Sequence, residues 1–214
     1  MLRIYISEIG DIPPAKDKEI LDNLNKGLQK RALSAKNEKV KREKIYTYAL
    51  LTEAVFHSGY AGDIQLSEGK NGKPHLDGGT YEISLSHTED LCAVAISDEG
   101  EIGVDAEKVS GEEKTEAAVK RFLNDFSPSF NTSQDVEIYD FDFIKASLAK
   151  YTIDPISEAE PSSTVVWTAA EALLKCDGGG FASLPSLEKI ERESMVYSFT
   201  VREKYSVSLA IKRK

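Results

Sequence analysis

Two periods run through the apolar positions of this chain, and they predict helices alternating with strands. Residues 2–6 (Leu-Arg-Ile-Tyr-Ile) read as a short strand, stopped by Asp11-Ile12-Pro13-Pro14. From Lys16 onward, Ile20, Leu21, Leu24 and Leu28 fall at helical spacing. A second helix is expected over 35–57, ending near Gly59, with Val40, Ile45, Tyr48, Ala49, Thr52, Val55 and Phe56 as its buried stripe. Gly72 and Pro74 then define a stiff turn that leaves Lys73 at a fixed place. Residues 81–87 alternate as a strand and end in the polar group Ser86-His87-Thr88. Residues 91–97 are almost continuously apolar, as a central strand covered on both faces would be. Asp98-Glu99-Gly100 reads as a three-residue hairpin loop with glycine in the left-handed position. It feeds a strand in which Ile102, Val104 and Ala106 alternate with Gly103, Asp105 and Glu107, so the two carboxylates leave the same face.

The second half repeats the order of helix followed by strands. A helix starting at Gly111 carries Ala117, Ala118, Val119, Phe122, Leu123 and Phe126. Residues 127–163 are polar and irregular, with a helix expected over 139–151. Thr164 reads as the N-cap of a helix over 165–176 that closes on Gly178-Gly179-Gly180. Two strands, 197–201 and 205–211, pair across Arg202-Glu203-Lys204. The expectation is an α+β protein of two similar subdomains, 1–101 and 102–214, meeting near the Asp105 strand.

Composition narrows the class. A chain of 214 residues with 41% hydrophobic content has room for one large core or two small ones. A net charge of −9 argues against general nucleic-acid binding. Cys92 and Cys176 have no metal-binding spacing and imply no disulfide framework, which fits a reducing cytoplasm. The first six residues turn polar too soon for a signal peptide or a membrane span. Against this acidic background a basic run stands out: Lys26, Lys30, Arg31, Lys36, Lys39, Lys41, Arg42 and Lys44, opposed by Glu38 and Glu43. It fits a solvated helix face or an anion site equally well.

A bare carboxylate pair such as Asp105 and Glu107 repels itself unless it faces a cation, and a hard divalent ion such as Mg²⁺ is the natural guest. Taken alone, that pair is more often a solvated strand face. Trp167, Glu171 and Lys175 lie four apart and share one helix face. In order the chain holds Gly72-Lys73-Pro74, Ser84-Leu85-Ser86-His87, Gly103-Val104-Asp105-Ala106-Glu107 and Trp167-Thr168-Ala169-Ala170-Glu171-Ala172-Leu173-Leu174-Lys175.

That ordered set resembles the 4′-phosphopantetheinyl transferases, in the two-subdomain class typified by the surfactin-synthetase activator, over residues 42–181. The resemblance implies two pseudo-equivalent halves enclosing coenzyme A. Asp105, Glu107 and Glu171 would hold Mg²⁺ against its pyrophosphate, with Lys175 on that pyrophosphate. Lys73 (stiffened by Pro74), Ser86, His87 and a basic residue near Arg42 would hold the nucleotide phosphates. The reaction implied is transfer of 4′-phosphopantetheine to a serine of an apo acyl or peptidyl carrier protein, with release of 3′,5′-ADP. The serine proton would go to a carboxylate such as Glu171 or to a base held by the metal. Two departures stand out: the family's usual lysine before the helix glutamate is Ala170, expected at the rim of the cleft, and segment 127–163 is long. Two alternatives remain at this point, another Mg²⁺-dependent enzyme of nucleotide pyrophosphates and a non-catalytic coenzyme A-binding protein. With both halves of a site in one chain, a monomer is expected.

Overall fold

The computed structural model describes residues 1–79, 81–109, 112–123, 126–132, 136–153, 155–156 and 161–212, with the side chains at 70, 112 and 114 outside that description. Along the chain come β1 (Leu2–Glu8), α1 (Ala15–Asn23), α2 (Lys26–Leu33), α3 (Glu38–His57), β2 (Leu66–Glu68), β3 (Pro74–Leu76), β4 (Glu82–Thr88) and β5 (Leu91–Ser97). There follow β6 (Ile102–Lys108), α4 (Glu112–Phe122), β7 (Val136–Asp142), β8 (Ser147–Lys150), α5 (Ser163–Asp177), α6 (Leu187–Arg192), β9 (Ser194–Val201) and β10 (Tyr205–Lys212). The protein is α+β. No helix among the described residues is long and apolar enough to cross a membrane.

Strand alternation sets the layers. Leu2, Ile4 and Ile6 of β1 and Leu91, Ala93 and Ala95 of β5 turn to one side, and there they join Ile102, Val104, Tyr197, Phe199, Val207 and Leu209 of the β6, β9 and β10 strands. Tyr5, Cys92, Val94 and Ile96 turn to the other side and meet Tyr46, Leu50 and Ala54 of α3. Ala169, Ala172, Leu173 and Cys176 of α5 cover the outer face of the second sheet with Val196 and Ala210. The result is helix, sheet, sheet, helix. Each fully buried Leu, Ile or Phe contributes about 1.5–3 kcal/mol over exposure, so the apolar layer between the sheets is a principal source of stability. The 101/102 division falls between β5 and β6, with this shared layer on both sides of it.

The topology is laid down twice. The first sheet has the order β4-β5-β1-β7-β8 and the second β6-β10-β9. In the first half strand β1, helix α3 and strands β4 and β5 give β4-β5-β1; in the second, β6, α5, β9 and β10 give β9-β10-β6. β5 and β10 are central and antiparallel to both neighbours within these triplets. The edges β4 and β6 lie side by side and are joined by hydroxyls. Ser84 Oγ accepts the Val104 N–H (2.9 Å) and Ser86 Oγ the Ala106 N–H (3.2 Å). Edge donors that would otherwise be buried unpaired are satisfied in this way.

Several sequence expectations need correction. β5 and β6 do not form a hairpin, and Gly100 is not among the residues with positive φ. Both edges of β5 are taken, by β1 and β4, so β6 must cross to the second sheet. Residues 139–151 are not a helix but belong to the β7–β8 pair, because β7 finds the free edge of β1 and pairs with it in parallel. Asp142 makes the turn by accepting the Ile144 and Lys145 N–H groups. The 16–28 helix is two helices: Asn25 interrupts it and caps α2 by accepting the Leu28 N–H. Phe56 is 54% exposed, and the buried face of α3 runs through Ile45, Tyr46, Ala49, Leu50, Ala54 and Val55. Thr164 lies inside α5, and Ser162 precedes it. Gly111 is outside the described residues. The central character of β5 and the β9–β10 pairing are as expected.

How closely α5 lies on the second sheet is set by Gly103. A Cβ there would fall 2.0 Å from the Ala172 carbonyl oxygen and 2.4 Å from the Cys176 nitrogen, both backbone atoms that cannot swing away. Gly103→Ala is therefore expected to lift α5 off β6 and to destabilise the fold by at least about 1–3 kcal/mol, as overpacking does. Urea unfolding checks this; an unchanged midpoint would contradict the close contact.

Candidate active site

The C-terminal half of α5, the end of β4 and the middle of β6 converge at one place. Alanine and leucine make α5 a strong helix, and its 3.6-residue period puts Glu171 and Lys175 one turn apart on the same side. Lys175 Nζ lies 2.6 Å from Asp105 Oδ1 and 3.2 Å from Ser86 Oγ. The Ser86 hydroxyl donates to the same Asp105 oxygen at 3.0 Å while accepting from Ala106 N–H and Lys175, so its donor and both lone pairs are used. Asp105 is 3% exposed. Its second oxygen, Oδ2, is buried without a hydrogen-bond partner. An orphaned carboxylate oxygen is costly, and a cation beside it would offset that cost.

Two further carboxylates stand beside it. Burial, and after it the Asp105 charge, push Glu107 up; Thr88 Oγ1 donates to its Oε2 at 3.3 Å. Burial first, then Asp105 and Glu107, push Glu171 up to about 7, with Lys175 pulling the other way. Among the described residues no three potential ligands already form a metal-holding group. The donor set nevertheless fits a hard divalent ion, since it is all carboxylate oxygen with one oxygen unused.

Next to Asp105 opens a cavity of about 400 Å³, within the range of small-molecule sites. Arg31, Lys44, Lys73, His87 and Lys175 line it, with Tyr48, Pro74 and Leu85. Glu68 also lines it and pairs with Arg31 (2.9 Å), and Lys175 pairs with Asp105, so Lys44 and Lys73 carry the cavity's excess positive charge. Lys73 donates to the Cys176 carbonyl (2.8 Å) and Asn71 to that of Gly178 (3.1 Å), so the Gly-Lys-Pro turn clamps the C-terminal end of α5. Asn71 and Gly72 have positive φ, and Gly178 ends the helix in the left-handed conformation. His87 Nδ1 lies 3.1 Å from Glu43 Oε2. Burial, followed by Lys175 and Lys44, pushes His87 down, and burial pushes Glu43 up.

Of the residues singled out in the sequence, Lys73, Pro74, Ser86, His87, Asp105, Glu107, Glu171 and Lys175 are gathered in or beside this place. Arg42 is not among the cavity-lining residues. Its guanidinium binds Asp17 (3.0 Å) and the carbonyls of Ile9 (3.1 Å) and Ile12 (2.6 Å), tying α1 to α3. Two positions further on, about 200° around the helix, Lys44 faces the cavity instead. Ala170 is not at a rim: it is fully buried in the apolar cluster with Leu123, Val166 and Leu174. A helical wheel gives its angle from Glu171 but cannot show that an apolar cluster covers that side. Trp167 is half-buried beside the exposed rings of Phe122 and Phe181. Glu43 was missed. Its signal is the spacing Glu43, Thr47, Leu50, Ala54, which sets a carboxylate on the buried stripe of α3.

No model of a known protein family and no curated protein matches the chain.

Two outcomes follow from this geometry. Ala170→Lys would force an ammonium into the core, so it should lower stability strongly, with no gain in affinity for anionic ligands; unfolding and binding measurements on the variant check this. For Glu171, the folded protein holds its proton more tightly than the unfolded chain, whose ordinary value is 4.5. That contribution to stability is complete below about 4.5 and is lost as pH rises to about 7. Metal-free Glu171→Gln should lose this part of the downward slope, and Mg²⁺ should stabilise the parent protein more than the variant. Coincident pH profiles of the urea midpoint would contradict the assignment.

Proposed function

We propose that the protein is a 4′-phosphopantetheinyl transferase, moving 4′-phosphopantetheine from coenzyme A to a serine of an apo acyl or peptidyl carrier protein. The observation that carries this reading is the orphaned Asp105 Oδ2, buried beside Lys175 where a carboxylate cluster meets a basic cavity. A basic cavity joined through Lys175 to a carboxylate cluster beside it suits a ligand with phosphates at one end and a metal-assisted reacting centre at the other.

Arg31, Lys44, Lys73 and His87 would bind and orient the nucleotide phosphates, each charge-assisted contact contributing about 1.5–3 kcal/mol. Asp105, Glu107 and Glu171 would hold Mg²⁺, which when bound supplies charge neutralisation on the pyrophosphate. Lys175 would move from Asp105 to that pyrophosphate. The carrier serine Oγ forms a bond to the phosphorus bearing pantetheine, the bond to the bridging oxygen breaks, and 3′,5′-ADP leaves. Glu171 is the candidate acceptor of the serine proton as the helix carboxylate of the cluster, although bound Mg²⁺ would lower the raised proton affinity it has in the metal-free protein. A monomeric cytoplasmic enzyme, with a carrier protein and no nucleic acid or membrane as partner, matches this reaction.

Incubation with coenzyme A, Mg²⁺ and an apo carrier protein, followed by weighing the carrier, tests the proposal. A mass gain of one phosphopantetheine is expected, and Glu107→Gln or Glu171→Gln should lower the rate about 10²-fold or more while the fold persists. Release of nucleotide without carrier modification would point to a pyrophosphate hydrolase. Binding of coenzyme A with neither outcome would leave a non-catalytic binding protein.

A further inference from the structure

We infer that Glu43 is a positioning residue for the cavity: its buried carboxylate holds Nδ1 of His87, so that Nε2 of the same ring is presented to a bound phosphate. The inference deepens the proposed function and rests on it for the identity of the anion. Glu43 stands on the face of α3 that packs against the first sheet and is 6% exposed. Carboxylates are rarely so buried unless paired, and its Oε2 lies 3.1 Å from His87 Nδ1. Across the interface His87 leaves β4 near its end and lines the cavity.

The charges around the pair give the ring one orientation. Facing His87 are Lys175 of α5, Lys44 of α3 and Asp105 of β6. Facing Glu43 are Lys39 of α3 and Glu89 and Asp90 of the β4–β5 turn. An imidazole set between a carboxylate and two ammonium groups places its N–H towards the carboxylate and its unprotonated nitrogen towards the cations. That leaves Nε2 as the cavity-facing atom. When an anion settles between Lys44 and Lys175, the field at Nε2 reverses and the ring takes a second proton from solvent. It then donates to the anion from Nε2 and to Glu43 from Nδ1. Without Glu43 the ring loses the carboxylate beside Nδ1 and is left with its own backbone hydrogen bond and the Asp105 charge to orient it. The arrangement is the one that orients metal-bound and catalytic histidines generally, with a carboxylate behind the working nitrogen.

¹⁵N-histidine NMR of the metal-free protein, with His87 assigned through His87→Asn, tests the inference with inorganic pyrophosphate as the probe. The parent protein should show the Nδ1-protonated tautomer at pH 8 and move to the doubly protonated ring on adding pyrophosphate at pH 7. Glu43→Ala should give mixed tautomers and bind pyrophosphate about tenfold more weakly. Glu43→Gln, whose amide oxygen still accepts, should keep the tautomer and show intermediate affinity. A merely structural Glu43 would alter stability and leave the ring signals unmoved. Equal tautomer populations in the parent and Glu43→Ala, unchanged affinity in Glu43→Ala, or no pyrophosphate binding by the parent would each overturn the inference. If the ring signals and affinities behave as stated but no transfer from coenzyme A occurs, the proposed function falls and the role of Glu43 stands.

Discussion

The site depends on the contact between α5 and β6. With no side chain at Gly103, the helix backbone rests directly on the strand, and this brings Lys175 within 2.6 Å of Asp105 Oδ1. One residue type at one position thus sets the distance between the helix carboxylate Glu171 and the strand carboxylates Asp105 and Glu107. The contact is reinforced from below by a buried polar ladder, in which Thr168 Oγ1 meets Ser208 Oγ (2.8 Å) and Ser206 Oγ (3.0 Å), and Ser198 Oγ meets Ser208 Oγ (2.7 Å). At the helix end Lys73 and Asn71, from the other half of the chain, take up carbonyls of Cys176 and Gly178. Hydrogen bonds, unlike apolar contact, fix the helix in rotation as well as in depth.

The second constraint is that two sheets must share one apolar layer while their edges stay satisfied. Serines 84 and 86 resolve this at the β4–β6 seam, where each hydroxyl accepts a backbone N–H of the other sheet. Ser86 goes further: the same hydroxyl donates to Asp105, so the seam between the halves and the first carboxylate of the site are one hydrogen-bonded unit. On the far side Arg202, in the β9–β10 turn, pairs with Glu8 of β1 and Asp140 of β7. A shift of one sheet over the other would therefore be felt at the carboxylates.

Electrostatically the place works against the stability of the fold. Burial and mutual repulsion raise Glu107 and Glu171, and an oxygen of Asp105 is left unpaired. Lys175 offsets part of that charge. A cation at the carboxylates and an anion in the basic cavity would offset the rest, and each would favour the other. Strained proton affinities of this kind gather where chemistry is done, which is why the cluster outweighs the larger number of ordinary surface ion pairs elsewhere on the molecule.

Period by itself told which side chains share a face: Asp105 with Glu107, Glu171 with Lys175, the two apolar faces of β5, and the final β9–β10 pair. These follow from backbone geometry within a few residues and need no tertiary information. The helix-then-strands order of both halves was equally plain. What the tertiary structure alone decided was which faces are covered and by what. β6 left β5 because both edges of β5 were filled by strands close and distant in sequence. Residues 139–151 became strand because β1, more than a hundred residues earlier, offers a free edge. Ala170 went inside because an apolar cluster that includes Leu123, Leu187 and Ile190 covers that side of α5, and Lys44 rather than Arg42 faces the cavity because Asp17 and two loop carbonyls hold Arg42 on the opposite side of α3. Glu43 finds His87 across the interface between α3 and the first sheet. Local sequence encodes the period of an element; its rotation and its neighbours are fixed only by contacts between residues far apart in the chain.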